Sequence, residues 1–447
     1  MSLNMNTLTL RRSDSRGSSS ISKPFFFSFS YQASASLTLR QRITGLMLLA
    51  LMLLLALLLK PIAEKYNIPF AGLLVVTGFV GSEILVYFGV DTGVRYDSFH
   101  DLILFVFLPL LIFEAAFKID AGQLLKHLIV ILFFAIPVML LSTFVAATMI
   151  YYGIGHPTGF PWIAALLTGA MLAATDPVAV LEIMRKAGVP KRLCILLDGE
   201  ALFNDATAIV TFSIFLYIAQ HPMEDISILD ASIRFMVVFF GGAIIGLFIG
   251  FTFLFLSRIL HDYIQQAIVT LIAAYISYLV ADSLNVSGVM SVLVAGMVLG
   301  RVIHHDFQDH EKRSFVDDFW SFNVYVAEAI MFLLMGVTIT VGMFTDNWLA
   351  MLIGIAAVLI ARGVGVFGGA PLISLLPGVE RIPFGYQQIM FVGGLRGAVT
   401  LALALSLPLE LDYWWTVQSI AFGVVLFTLF VQAPTVSPLI KRQKFDD

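Results

Sequence analysis

Long apolar segments follow one another from Thr44 almost to the end of this 447-residue chain. A straight helix needs roughly 20 apolar residues to cross the hydrocarbon core of a bilayer. Inside lipid the backbone must satisfy its own hydrogen bonds, which segments of this length do as helices. The sequence therefore predicts an all-α polytopic membrane protein with about thirteen transmembrane helices. The predicted segments are 44–60, 70–90, 99–117, 126–152, 162–183, 194–219, 232–258, 263–281, 284–302, 318–342, 347–376, 384–407 and 414–440.

The low content of charged residues supports this class and excludes others. Only 13% of the residues are Asp, Glu, Lys or Arg, against roughly a quarter in soluble domains. The formal net charge of −4 gives no indication of nucleic-acid binding. Cys194 is the single cysteine, which excludes an intramolecular disulfide and a cysteine-rich metal site. We expect no cofactor and no catalytic residue.

Residues 1–42 differ from the rest of the chain. They are rich in Ser and Arg and contain one acid, Asp14. The simplest interpretation is a disordered tail that precedes a transmembrane domain at 43–440. The same composition is typical of organelle transit peptides, so an organelle membrane is the alternative location.

The distribution of Lys and Arg between alternate loops predicts the orientation. One set of loops carries nearly all of them, whereas the other set carries only Arg95 and Arg234. Cytoplasmic loops collect basic residues, so the first set and the C-terminal residues 441–447 are predicted to be cytoplasmic. Thirteen spans then place the N-terminus outside, against the basic character of the tail, and we take the loops as the stronger signal. We expect a bacterial-type inner membrane protein.

The sixth segment contains the motif LDGEALFNDATAIV, which carries Asp198, Glu200, Asn204 and Asp205. A carboxylate in a lipid-spanning helix costs about 3 kcal/mol or more and is usually functional. On a helix, Glu200 and Asn204 share one polar face. Asp205 lies on a second face, about 100° away, between alanines one turn on either side. Because small neighbours leave room for an ion, we predict that Asp205 is a binding carboxylate.

Two segments are predicted to be broken near the middle of the membrane. The fifth contains ATDPVAV, in which Pro177 lacks a backbone donor and disfavours helix at the residue before it. The twelfth contains GGLRGAVT, in which three glycines surround Arg396. Broken helices at corresponding positions of two inverted repeats indicate a transporter site. Segments 4–6 and 11–13 are the predicted repeats.

The broken helices expose partial charges that need compensation. We predict that Asp176 offsets the positive N-terminal ends and that Arg396 offsets the negative C-terminal ends. A direct or water-mediated contact of Asp176 with a cation is the alternative.

Three further acids lie in the apolar segments. Glu114 is either a second carboxylate that faces Asp205 or an acid that reaches toward water beside Lys118. Glu200 is predicted to pair with Arg362, because a buried arginine needs a carboxylate or several carbonyls. Glu328 is interpreted as structural.

The motifs TDPVAV, GEALFNDATAIV and GGLRGAVTLALALSLP, in this order, resemble the sodium/proton antiporters of the NhaP/NHE type, the cation:proton antiporter-1 family. The resemblance covers about residues 44–440. It implies the NhaA/NhaP-like antiporter fold, with inverted repeats and usually a homodimer. The implied core bundle is about 126–219 and 347–440, and it moves against a dimerisation part at about 44–117 and 232–342.

The resemblance also implies roles for individual residues. Asn204 and Asp205 would carry the exchange of one Na⁺ or Li⁺ for one H⁺, and the neutral Asn204 implies that the exchange is electroneutral. The implied Na⁺ ligands are Asp205, Glu114 and the backbone carbonyl of Thr175. Two further roles follow, a water-mediated contact for Asp176 and a structural ion pair for Glu200 and Arg362.

One residue departs from the pattern of close relatives. Some of them have Ser directly after the motif Glu as a side-chain ligand, whereas this chain has Ala201. The missing hydroxyl leaves the choice between Na⁺, Li⁺ and K⁺ open, and a K⁺/H⁺ antiporter of the same family is the alternative function. In either case cation and proton would compete for Asp205, since burial disfavours its empty, ionised form.

Overall fold

The computed structural model describes residues 39–66, 69–88, 102–154, 159–223, 227–260, 262–306 and 310–443. All regular secondary structure in these ranges is helical, which agrees with the all-α prediction. Residues 1–38 of the predicted tail and Arg95 lie outside the described residues. The first helix includes residues 39–42, which the sequence had assigned to the tail; arginine and leucine are good helix formers, so the apolar helix extends backward through them.

The chain forms nineteen α-helices in the described residues, several of them long and joined by short connections. In chain order they are α1 (Leu39–Tyr66), α2 (Phe70–Tyr87), α3 (Leu108–Lys118), α4 (Ala121–Lys126), α5 (Leu128–Phe133), α6 (Met139–Gly153), α7 (Trp162–Ala173), α8 (Val178–Lys186), α9 (Lys191–Gln220), α10 (Ile228–Ile259), α11 (Tyr263–Ser283), α12 (Gly288–Asp306), α13 (His310–Thr338), α14 (Val341–Gly363), α15 (Gly369–Ile373), α16 (Phe384–Gly393), α17 (Ala398–Leu405), α18 (Trp414–Phe427) and α19 (Ala433–Arg442). π-Helical turns precede α3 and join α5 to α6, α14 to α15 and α18 to α19.

Ten helical stretches among the described residues are long and apolar enough to cross a membrane. The first, third and ninth predicted segments are not among them. The ninth corresponds to the apolar helix Gly288–His304, which is shorter than the roughly 20 residues of a straight span. The count of thirteen therefore stays a prediction.

Proline marks the start of many helices. Pro69, Pro161, Pro177, Pro190 and Pro383 each stand directly before a helix. Proline lacks the N–H group that the first turn leaves unpaired, and it cannot continue a preceding helix. These residues separate consecutive rods and, at Pro177, restart a helix inside the membrane.

The most extensive helix packing falls into two sets. One set contains α2, α3, α10, α11, α12 and α13, and the other contains α6, α7, α9, α14 and α18. The first set lies in the predicted dimerisation part and the second in the predicted core bundle. Contacts of α9 with α3, α10 and α12 join the two sets. A cavity between them forms the candidate site.

Glycine allows α2 and α13 to touch through their backbones. A Cβ atom on Gly78 would lie 2.3 Å from the carbonyl oxygen of Leu333, and one on Gly336 would lie 2.2 Å from that of Val75. Small residues at such crossings are how membrane helices gain packing energy, since lipid gives no hydrophobic driving force. This contact holds α13, which carries Glu328, firmly against its neighbour.

Candidate functional site

Two short non-helical segments, each between two helices, lie against each other. Residues 174–177 are not helical and separate α7 from α8, and residues 394–397 separate α16 from α17. The backbone N–H of Asp176 donates to the carbonyl oxygen of Leu395 at 2.9 Å. Each non-helical segment therefore supplies a backbone hydrogen-bond partner to the other. Unwound chain inside a membrane needs such partners, because lipid offers none.

Arg396 lies at the C-terminal end of α7. Its Nη1 donates to the carbonyl oxygens of Ala173 and Ala174, at 2.8 and 2.7 Å. The side chain is 2% exposed. Because the last carbonyls of a helix carry partial negative charge, the guanidinium compensates the end of α7 and satisfies its unpaired acceptors.

Asp176 lies at the N-terminal ends of two half-helices. Its Oδ1 accepts the backbone N–H of Val178, the first residue of α8, at 3.1 Å. Its Oδ2 lies against Gly397, the residue directly before α17. The carboxylate thus faces the positive ends of both α8 and α17.

Gly397 is required by this arrangement, and Gly397→Ala tests it. A Cβ atom there would lie 2.0 Å from Asp176 Oδ2, so the carboxylate or the backbone must move. We expect a loss of about 1–3 kcal/mol in stability, the usual cost of overpacking, seen as a lower temperature of inactivation in heated, detergent-solubilised protein.

Gly81→Ala is the matched control for this prediction. No atom lies within 4 Å of a Cβ at Gly81 in α2, and alanine favours helix over glycine. We expect it to be neutral or stabilising. Equal stability of the two variants would contradict the close contact between Gly397 and Asp176.

The adjacent residues Asn204 and Asp205 of α9 face different surroundings. Asn204 Nδ2 donates to the Ala173 carbonyl at 3.1 Å and to Thr175 Oγ1 at 3.2 Å, and the residue is 2% exposed. Successive helix residues point about 100° apart. Asn204 therefore holds the unwound chain, whereas Asp205 faces the cavity beside it.

Glu200 and Arg362 form a buried ion pair between α9 and α14. Both carboxylate oxygens of Glu200 accept from the guanidinium, with 3.2 Å between Glu200 Oε2 and Arg362 Nη2. The residues are 2% and 7% exposed. Arg362 also donates to the carbonyl oxygen of Met390 in the last turn of α16, at 2.9 Å from Nη2. The pair thereby ties α9 to the second broken helix.

The cavity between the two helix sets has a volume of about 90 Å³, room for a few water molecules or a partly hydrated ion. Thr175 and Ala201 line it, and residues of α3, α13 and α17 complete its wall. Five carboxylates also line it: Glu114, Asp176, Asp198, Asp205 and Glu328. So many acids around one small cavity in a membrane suit a cation.

Glu114 both lines the cavity and has a partner. Its carboxylate pairs with the ammonium group of Lys118, one turn along α3. Lys118 also donates to Ser321 Oγ of α13 at 2.8 Å. Glu114 thus lines the cavity and is held by a lysine at the same time, and its role as a second carboxylate for the cation stays a prediction.

Sequence reasoning gave no site role to Asp198 or Glu328, yet both line the cavity. Asp198 precedes Asp205 by seven residues, which is two turns of helix and hence the same face; this spacing was a signal that could have been used. Glu328 comes from α13, in the other helix set. Only the packing of distant segments brings it to the site.

The chain is similar to known membrane proteins in sequence and in fold. A family model described as sodium/hydrogen exchanger, transmembrane, matches residues 50–442. The Na⁺/H⁺ antiporter ApNhaP of Aphanothece halophytica is 35% identical over 76% of this chain, which spans 64% of the length of that relative. The low-affinity Na⁺/H⁺ antiporter NhaS1 of Synechocystis is 35% identical over 89% of this chain and 73% of its own length.

A solved structure shows the same fold. The sodium proton antiporter MjNhaP1 of Methanocaldococcus jannaschii superposes with a TM-score of 0.72 over 90% of this chain and 99% of its own, at 21% identity.

Proposed function

This chain belongs to the sodium/hydrogen exchanger family, and we infer that it is a secondary active transporter that exchanges Na⁺ or Li⁺ for H⁺ across a membrane. The observation that carries the inference is the cavity that Asp205 lines together with residues of both non-helical segments. The antiporter activity of the named relatives is the second support.

The proposed mechanism is competition for one carboxylate. Burial disfavours the ionised form of Asp205, so the group holds either a proton or a cation. With neither bound, its charge opposes movement of the core bundle through the membrane interior. With a proton or a cation bound, this energetic cost is lower, and the cavity can open to the other side of the membrane. Exchange then needs no separate gate.

We propose that Asp205, Glu114 and the Thr175 carbonyl hold the cation, with Asp176 acting through water. Asn204 has no ionisable group, and its amide is engaged by the first break. The Asn204–Asp205 pair therefore carries one charge, which supports electroneutral one-for-one exchange. We propose no cofactor other than the transported ions.

A K⁺/H⁺ antiporter is the second candidate, and Ala201 is the observation that favours it. Ala201 lines the cavity one turn from Asp205, where a serine hydroxyl could reach an ion. Without that oxygen, the site offers fewer ligands to a small, strongly hydrated cation.

Proton flux in proteoliposomes tests the proposal. With a pH gradient imposed and followed by a dye, we expect Na⁺ or Li⁺ to dissipate the gradient and choline to leave it intact. The initial rate should not depend on an imposed membrane potential if exchange is electroneutral. A response to K⁺ alone would favour the second candidate, and no response to any of the three cations would contradict both.

The assembly and location are also proposals. We propose a homodimer through the helix set of α2, α3 and α10–α13, in a bacterial-type inner membrane with the C-terminus in the cytoplasm. The basic residues that end α8 and begin α9, together with Lys441 and Arg442 at the end of α19, support this orientation.

A further inference from the structure

Asp198 lies at the outer end of the face that carries Asp205. The two carboxylates line the same cavity and are about 10 Å apart along the axis of α9, at 1.5 Å per residue. Ala201 and Leu202 are the lining residues of α9 between them, and neither can bind an ion through its side chain. An ion that moves along this face therefore meets Asp198 and then Asp205.

Asp198 is held only loosely. Its Oδ2 lies 3.4 Å from Nη2 of Arg185, beyond the usual range for a charge-assisted hydrogen bond. The Arg185 side chain is 66% exposed and that of Asp198 is 22% exposed. Ion pairs with a partner in water are weak, so a cation arriving from solution can replace the guanidinium.

The loop beside Asp198 indicates which side of the membrane it faces. Arg185 and Lys186 end α8, and Lys191 and Arg192 begin α9. Such a basic connection is predicted to be cytoplasmic. A carboxylate beside this basic connection adds a local attraction for cations, which raises their concentration near the cavity.

We propose that Asp198 is the access residue of the cavity, which attracts the monovalent cation on the cytoplasmic side and delivers it to Asp205. Arg185 acts as the tethered cation that the incoming ion displaces. The inference rests on the proposed function. Asp198 is a positioning residue, since the bound ion is held deeper, at Asp205.

Asp198→Asn is the first test, in everted membrane vesicles whose cytoplasmic face is in the assay medium. At low ionic strength we expect the half-maximal Na⁺ concentration to rise about two- to five-fold, the effect of one unit charge several ångströms from the ion in a water-accessible mouth. The maximal rate should not change. Added choline chloride should shrink the difference, because salt screens exposed charges.

The exposed pair Glu182–Lys186 supplies matched controls. It lies in α8, the helix that carries Arg185, but does not line the cavity. Glu182→Gln removes one negative charge, as Asp198→Asn does, and we expect it to leave the half-maximal Na⁺ concentration unchanged. Arg185→Gln should lower the half-maximal Na⁺ concentration, whereas Lys186→Gln should leave it unchanged. In right-side-out vesicles Asp198→Asn should also have no effect.

Several outcomes would overturn the inference. The half-maximal Na⁺ concentration could rise equally in Glu182→Gln, or it could stay unchanged in Asp198→Asn. A change in the thermal stability of Asp198→Asn with no change in its half-maximal Na⁺ concentration would also contradict the proposal. If Asp198→Asn does not fold, Arg185→Gln is the test: an unchanged half-maximal Na⁺ concentration in that variant would contradict the proposal. A failure of the proposed function looks different, because the unsubstituted protein would then show no cation-dependent proton flux.

Discussion

Exchange is expected to fall to the level of empty vesicles when Asp205 is replaced by Asn. The amide cannot take up a proton at neutral pH or neutralise a cation, so neither substrate can be carried. The fold should survive, because removing a carboxylate from a helix inside the membrane lowers the cost of placing α9 there. Proton flux in proteoliposomes, with size-exclusion profiles to verify folding, measures both.

Asp282→Asn is the matched control for this variant. Asp282 is a partly buried aspartate near the end of α11, outside the cavity lining. It should retain exchange, since only a charge remote from the site is lost. Exchange retained in a well-folded Asp205→Asn variant would contradict the assignment of Asp205.

The second large effect concerns the Glu200–Arg362 pair. Removing one partner of a buried ion pair leaves an uncompensated charge and costs about 3–5 kcal/mol. We expect Glu200→Gln and Arg362→Met each to lower the temperature of inactivation, and the double variant to lose less than their sum. Arg362→Met should be the worse single change, because Met390 also loses its donor.

The exposed Glu182–Lys186 pair again gives the comparison. Both side chains are largely in solvent, so Glu182→Gln and Lys186→Met should change stability little. If Glu200→Gln folded normally and lost only cation affinity, Glu200 would be an ion ligand and the structural interpretation would be wrong.

Much of the all-helical architecture could be predicted because lipid offers no hydrogen-bond partners to the backbone, so apolar segments of this length form helices. Pro177 and the glycines around Arg396 are local signals, and residues 174–177 and 394–397 are where the structure has no helix. The placement of Asp176 and Arg396 at opposite helix ends follows from the same local electrostatics. Such features can be read from a few neighbouring residues.

The surroundings of the cavity could not be read in this way. Glu328 reaches it from α13, more than a hundred residues from Asp205, and no local pattern predicts that contact. The different directions of Asn204 and Asp205 on α9 follow from helix geometry, but the partners of these side chains belong to other segments. The family resemblance names the pair without saying which atoms face the ion.

The contact of Arg396 with the C-terminal end of α7 bears on which amino-acid substitutions can occur there in related sequences. Its partners are the backbone carbonyls of Ala173 and Ala174, which every amino acid supplies. The two alanines can therefore be exchanged for any residue that fits the space, without a compensating change at Arg396. Paired substitutions among relatives should not reveal this contact, although it joins the two non-helical segments beside the candidate site.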